Sequence, residues 1–179
     1  MFGFLRKRSG SDLIGECHIR IVAASREPAL YTSLGLPDTV EGRFESLTLH
    51  VLLVLRRLRA LPPPAAEAAQ ELVDTVFTDL EVALRESGVG DFGVPKRMKK
   101  LGRAFYDRTA KYDPLLDAGD AAALAAAVAA RVEVEPASLF GFARHVLAAE
   151  EQLATADLDS VLAGPPFPGV ERSLAEAIA

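Results

Sequence analysis

Three histidines and one cysteine are the residues of this chain best suited to bind a metal or attack a substrate: His18, His50, His145 and Cys17. A helical metal site sets two ligands one turn apart, at i and i+4. No pair of these histidines has that spacing, and Cys17 and His18, as neighbours, point apart on a helix. They read as packing residues, and neither a metal nor a cofactor is expected. Gly88, Gly90 and Gly93 match G-x-G-x-x-G, the pattern whose backbone cradles a pyrophosphate. It does so only where a strand leads in and a helix leads out. Here a helical segment leads in, so the glycines read as a helix-to-helix turn. No serine stands in a nucleophile elbow, and no Ser/His/Asp order stands out. Nothing demands an active site, so the chain is expected not to be an enzyme.

Two polar strips remain. On a helix, His50 aligns with Arg43, Ser46 and Arg57, away from the apolar stripe. That alignment fits a binding strip or a solvated face. The second strip is basic. Lys96, Arg97, Lys99, Lys100, Arg103, Arg108 and Lys111 face one acid, Asp107, in a chain of net charge −5. From Tyr112 onward, eleven acids meet three arginines. Lys96, Lys99, Lys100 and Arg103 fall on one helical stripe. Two readings stand. The stripe docks an anionic partner (phosphate backbone, lipid headgroup or acidic protein), or it is a solvated face paired with the acidic C-terminal part.

The elements that would position these strips are helical. Leu13, Ile14, Cys17, Ile21 and Ala24 share one stripe, so residues 11–34 read as one or two short helices. Asp38 to Leu61 is the clearest helix. Asp38 is the expected N-cap, with Glu41 completing a capping box. Val40, Phe44, Leu47, Val51, Val54, Leu55 and Leu58 form its core stripe, and Leu49, Leu52 and Leu53 lie on other faces. A helix apolar on several sides belongs at the centre of its bundle. Pro62-Pro63-Pro64 ends it. Further helices are expected over 65–87, from about Val94 to Tyr112, over the alanine-rich 120–131, and over 136–155.

The 179 residues suffice for one domain with its own core. The reading is all-α: a single-domain bundle of about six to eight helices around a long central one. Residues 1–10 read as a flexible basic N-terminus, 11–163 as the helical domain, and 164–179 as a tail made a linker by Pro165, Pro166 and Pro168. A short terminal helix from about Val170 is compatible with the pattern. A single cysteine excludes an internal disulfide. No apolar run approaches the ~20 residues that span a bilayer. The start, Met1-Phe-Gly-Phe-Leu-Arg-Lys-Arg8, has its apolar residues before its charges, the reverse of a secretory signal. A cytoplasmic protein, peripheral to the inner membrane if its cations touch lipid, is expected. Mild acidity argues against DNA binding.

Two blocks carry a family resemblance. One runs from Tyr31-Thr-Ser-Leu-Gly-Leu-Pro-Asp-Thr-Val-Glu-Gly-Arg-Phe-Glu45 to Arg56-Arg-Leu-Arg59. The other is Leu84-Arg-Glu-Ser-Gly-Val-Gly-Asp-Phe-Gly-Val-Pro-Lys-Arg-Met98, followed by Ala104-Phe-Tyr-Asp-Arg108. In order and content they resemble the ubiquinol–cytochrome c chaperone family over about Leu30 to Asp113. Ser87 and Asp107 stand where the family tends to have methionine and glycine. The resemblance implies an all-helical assembly chaperone whose client is cytochrome b of the bc1 complex, and with no nucleotide site read in the sequence its holding is expected to be ATP-independent. It is to the bacterial form, since no transit-peptide-like extension is seen. An anionic membrane surface and the ribosome are the further partners the basic stripe would suit. The competing class is a small-ligand carrier, with haem or lipid in a helical pocket and His50 or His145 as axial ligand.

Overall fold

In a computed structural model, residues 10–170 are described, and among them the fold is all-α with no strand. The order is α1 (Gly10–Ser25), α2 (Pro28–Thr32), α3 (Val40–Ala60), α4 (Ala65–Glu86), α5 (Val94–Asp117), α6 (Ala121–Val132), a 3-10 turn (Pro136–Leu139), α7 (Phe140–Ala154) and α8 (Leu158–Ala163).

The central helix is α3. It packs against α1, α4, α5, α6 and α7. Every residue from Thr48 to Leu55 is buried, so its middle is surrounded on all sides. That matches its unbroken run of apolar residues. Its N-terminal end differs from the expected pattern. Val40 is exposed, and Phe44 and Leu47 are only half-buried, because this face of α3 turns outward here while Gly42, Glu45 and Ser46 on its other side are buried. Thr39 is the N-cap, its hydroxyl accepting from the Gly42 N–H at 3.1 Å. Asp38, expected in that role, instead accepts from Arg43 at 2.6 Å. Gly42 is there because of crowding: a Cβ would lie 2.0 Å from the Pro37 carbonyl oxygen.

The other helices bury one stripe each. Ile14, Cys17 and Ile21 do so on α1, Ala69, Leu72 and Val76 on α4, and Phe105, Tyr112 and Leu116 on α5. The Gly88–Gly93 segment is a turn between two helices. Gly88 takes φ +83, and the Val89 N–H reaches back to the Leu84 carbonyl at 3.2 Å, closing the end of α4. The proline-containing segment corrects the linker reading as far as Val170. Pro165, Pro168 and Val170 are buried, and the Phe167 ring stands edge-on to His50 at 5.0 Å. Proline there supplies apolar surface at fixed φ, and the core uses it. The expected basic N-terminus (but for Gly10, which opens α1) and a helix beyond Val170 lie outside the described residues.

Candidate functional site: the basic face of helix five

The expected strip on α3 does not exist as a surface. His50 and Ser46 are buried. The Ser46 hydroxyl donates to the Ser25 carbonyl at 2.8 Å, and His50 Nδ1 lies 2.8 Å from the Ser46 carbonyl. The His50 and His145 rings sit 6.4 Å apart in the core. Burial pushes each of their pKa values down to about 4. Arg57 donates to the Ala156 carbonyl at 2.6 Å, tying α3 to the segment before α8. Arg43 is exposed and held by Asp38. The four residues do lie along one helical line. Neighbouring helices cover its middle, so the strip is packing and tethering rather than a docking face.

The basic strip divides in two. Arg108 turns inward, donating through Nε to Glu45 Oε1, with its guanidinium 4.9 Å from the Phe44 ring centroid. Glu45 is wholly buried, and its other oxygen accepts from the Tyr112 hydroxyl at 2.5 Å. Burial, then the Glu45 charge, raises the Tyr112 pKa above that of an ordinary phenol. This Glu45–Arg108–Tyr112 cluster locks α5 to α3. Arg56 is a second internal tether. It donates to Asp113, to Asp117 at 2.5 Å and to Glu150 at 2.6 Å, joining α3, α5 and α7. Sequence reasoning missed both clusters. Glu45 was the one signal of the first, and it reads as an ordinary helix-surface residue.

Lys96, Arg97, Lys99, Lys100 and Arg103 are all exposed. At 100° per residue, Lys96, Lys99, Lys100 and Arg103 lie opposite the packed stripe of Val94, Phe105, Tyr112 and Leu116. Among the described residues the acid paired with this group is Asp107, 3.9 Å from Arg103 on the same exposed face. The alternative pairing with the acidic C-terminal part is therefore not made by described residues: Asp113, Asp117 and Glu150 are engaged by Arg56. The first turn of α5 carries no acid, so Lys96 and Arg97 also sit against the positive end of the helix dipole. Beside them, two residues before the helix, Phe92 is fully exposed, and Tyr106 stands out farther along.

Past the stripe, Lys111 forms the edge of a shallow groove between α5 and α6. Leu115, Ala123, Ala126, Ala127 and Ala130 line it, Arg131 closes it, and its volume is about 530 Å³. Neither His50 nor His145 lines this groove. Cys17 is buried, with its thiol pKa pushed up to about 12 by burial, which leaves it without nucleophilic character. No group of three or more metal-ligating side chains occurs among the described residues.

A single-domain helical bundle with a solvent-facing basic surface has the build of a helical binding protein. The comparisons with known proteins narrow this. Residues 32–168 match the model of the ubiquinol-cytochrome C chaperone family. The chain also resembles the crystal structure of the Cbp3 homolog from Brucella abortus, at 36% identity and a TM-score of 0.81, over 91% of this chain and 92% of that one. No curated protein matches. The chain belongs to the ubiquinol-cytochrome C chaperone family, a family of bc1-complex assembly chaperones.

Proposed function

We propose that this protein is a non-enzymatic, ATP-independent chaperone that holds newly made cytochrome b while the bc1 complex is assembled. The observation that carries the reading is the family match over residues 32–168. The basic face of α5 supports it. A membrane-protein client is met at a membrane, and the protein presents a row of cations to solvent and, farther along α5, an apolar groove. Lys96, Arg97, Lys99, Lys100 and Arg103 form the docking row, and the groove between α5 and α6 takes an apolar segment of the client. No helix among the described residues is long and apolar enough to cross a membrane, so α5 meets its partners at its surface.

The test is complementation of bc1 assembly in cells lacking the native gene, together with crosslinking from membranes that are making cytochrome b. Lys96→Glu, Lys99→Glu and Arg103→Glu combined should lower stability by no more than about 1 kcal/mol, since these side chains are solvated. The same variant should fail to restore bc1 levels and lose its crosslink to cytochrome b. Normal bc1 levels with this folded variant would sink the docking role of the stripe.

A further inference from the structure

The cations of α5 and the exposed ring beside them form a surface whose partner can be specified further. Their residue types and positions are unfavourable for the fold itself. Lys96, Lys100 and Arg103 are spaced one turn apart and repel one another. Lys96 and Arg97 oppose the helix dipole. Phe92 is fully exposed at the turn and buries nothing. A surface that weakens its own helix and leaves a ring in water is explained by what lies against it in the working state.

The shape selects among anionic partners. The stripe is the outward, convex side of a helix whose opposite side is packed, and its cations stand on long flexible stems. A peptide or single strand of nucleic acid is best held in a groove, and this stripe has none. A chain of net charge −5 is also poorly suited to a polyanion that would wrap beyond one face. A lipid bilayer is flat, extended and anionic, so a convex row of cations meets it without a groove. An aromatic side chain at the edge of such a row can enter the headgroup boundary. We infer that the Lys96–Arg103 face docks on an anionic bilayer, with Phe92 as its insertion point. The inference rests on the chaperone reading and adds a location to it: the protein meets its client while lying on the membrane, and the groove beyond Lys111 stays open to the client.

Co-sedimentation of the full chain with vesicles tests this. One set is phosphatidylcholine alone, and the other has part of it replaced by phosphatidylglycerol. The protein should sediment with the anionic vesicles only, and less so as salt is raised. Each cation near such a surface strengthens binding roughly fivefold, so Lys96→Glu, Lys99→Glu and Arg103→Glu together should weaken it by at least ~100-fold. Phe92→Ser should weaken it about tenfold with the fold intact. The chain contains no tryptophan, so Phe92→Trp supplies a lone reporter. Its emission should shift to the blue on anionic vesicles and stay unchanged on neutral ones. Equal binding to both vesicle sets, an unshifted reporter, or full binding by the charge-reversed variant overturns the inference. The groove pair Ala126→Glu and Ala130→Glu separates the two ideas. It should keep vesicle binding and lose the cytochrome b crosslink. If the parent ignores vesicles yet crosslinks cytochrome b through the stripe, the bilayer inference fails and the chaperone reading stands.

Discussion

Helices α3 and α5 each carry a polar strip, and the fold uses the two in opposite ways. On α3, Ser46, His50 and Arg57 reach partners inside the molecule. On α5, Lys96, Lys99 and Lys100 meet no acid among the described residues. The difference follows from position. The α3 strip runs through the centre of the bundle, where an unpaired polar atom costs about 1–3 kcal/mol and each must find a partner. The α5 strip lies on an outer helix, where water satisfies each charge. A polar row is thus evidence of a docking surface only when its helix is peripheral.

The largest effect that would sharpen this contrast is at Glu45. It is wholly buried and holds both Arg108 and Tyr112. Glu45→Ala leaves a mostly buried guanidinium without its counter-charge, and removing one partner of such a pair costs about 3–5 kcal/mol. That is a large share of the roughly 5–15 kcal/mol expected for a domain of this kind. Chemical denaturation of the purified variant measures it. A loss below about 1 kcal/mol would mean that Glu45 is solvated and that α3 and α5 do not differ as described.

A second test uses acid. His50 and His145 are held neutral in the fold, burial having lowered each pKa from 6.5 to about 4. The unfolded chain binds protons first, so their contribution is complete above about pH 6.5. It declines as pH falls towards 4 and then levels off. At pH 5 the loss is about 2 kcal/mol for each histidine. Melting curves from pH 7 to pH 5 should therefore fall steeply, and His145→Gln should flatten the slope by about half. A parent protein whose stability is level over that range would place these rings in water.

How far the sequence led depended on the kind of signal. Helical periodicity is a property of the chain itself, and it placed α3, α4, α5 and the helical segment over 136–155, whose Leu139, Phe142, Val146 and Leu153 are buried. The N-cap was off by one residue because Asp38 and Thr39 are both good caps, and Arg43 draws Asp38 away. Phe44 and Leu47 carry the right period but lie where that face of α3 is turned outward, which no periodicity reveals. Glu45 and Arg108 were unreadable for a deeper reason: they are 63 residues apart, and each looks like an ordinary solvated charge until the helices cross. The exposed stripe was legible as a count of charges. Its division from Arg108 came only with the packing, and so did the placing of Phe92 at its end.

The smallest predicted effect bears most directly on what the stripe is for. Lys96 lies in the first turn of α5, against the dipole, and one turn from Lys99 and Lys100. Each like-charge neighbour at that spacing costs about 0.2–0.5 kcal/mol, and a cation at a helix N-terminus about 0.3–1 kcal/mol. Lys96→Gln removes all three terms and keeps most of the stem. It should therefore stabilise the protein by about 0.7–2 kcal/mol at low salt, which is a rise in Tm of a few degrees for a chain of this size. The gain should shrink at high salt, because the repulsions it relieves are exposed and screened. A loss of stability would instead reveal an internal partner for Lys96, and the stripe would join the α3 strip as a structural feature. A gain in stability alongside a loss of bc1 assembly would show that the cation is kept at the expense of the fold, which only a partner outside the molecule explains.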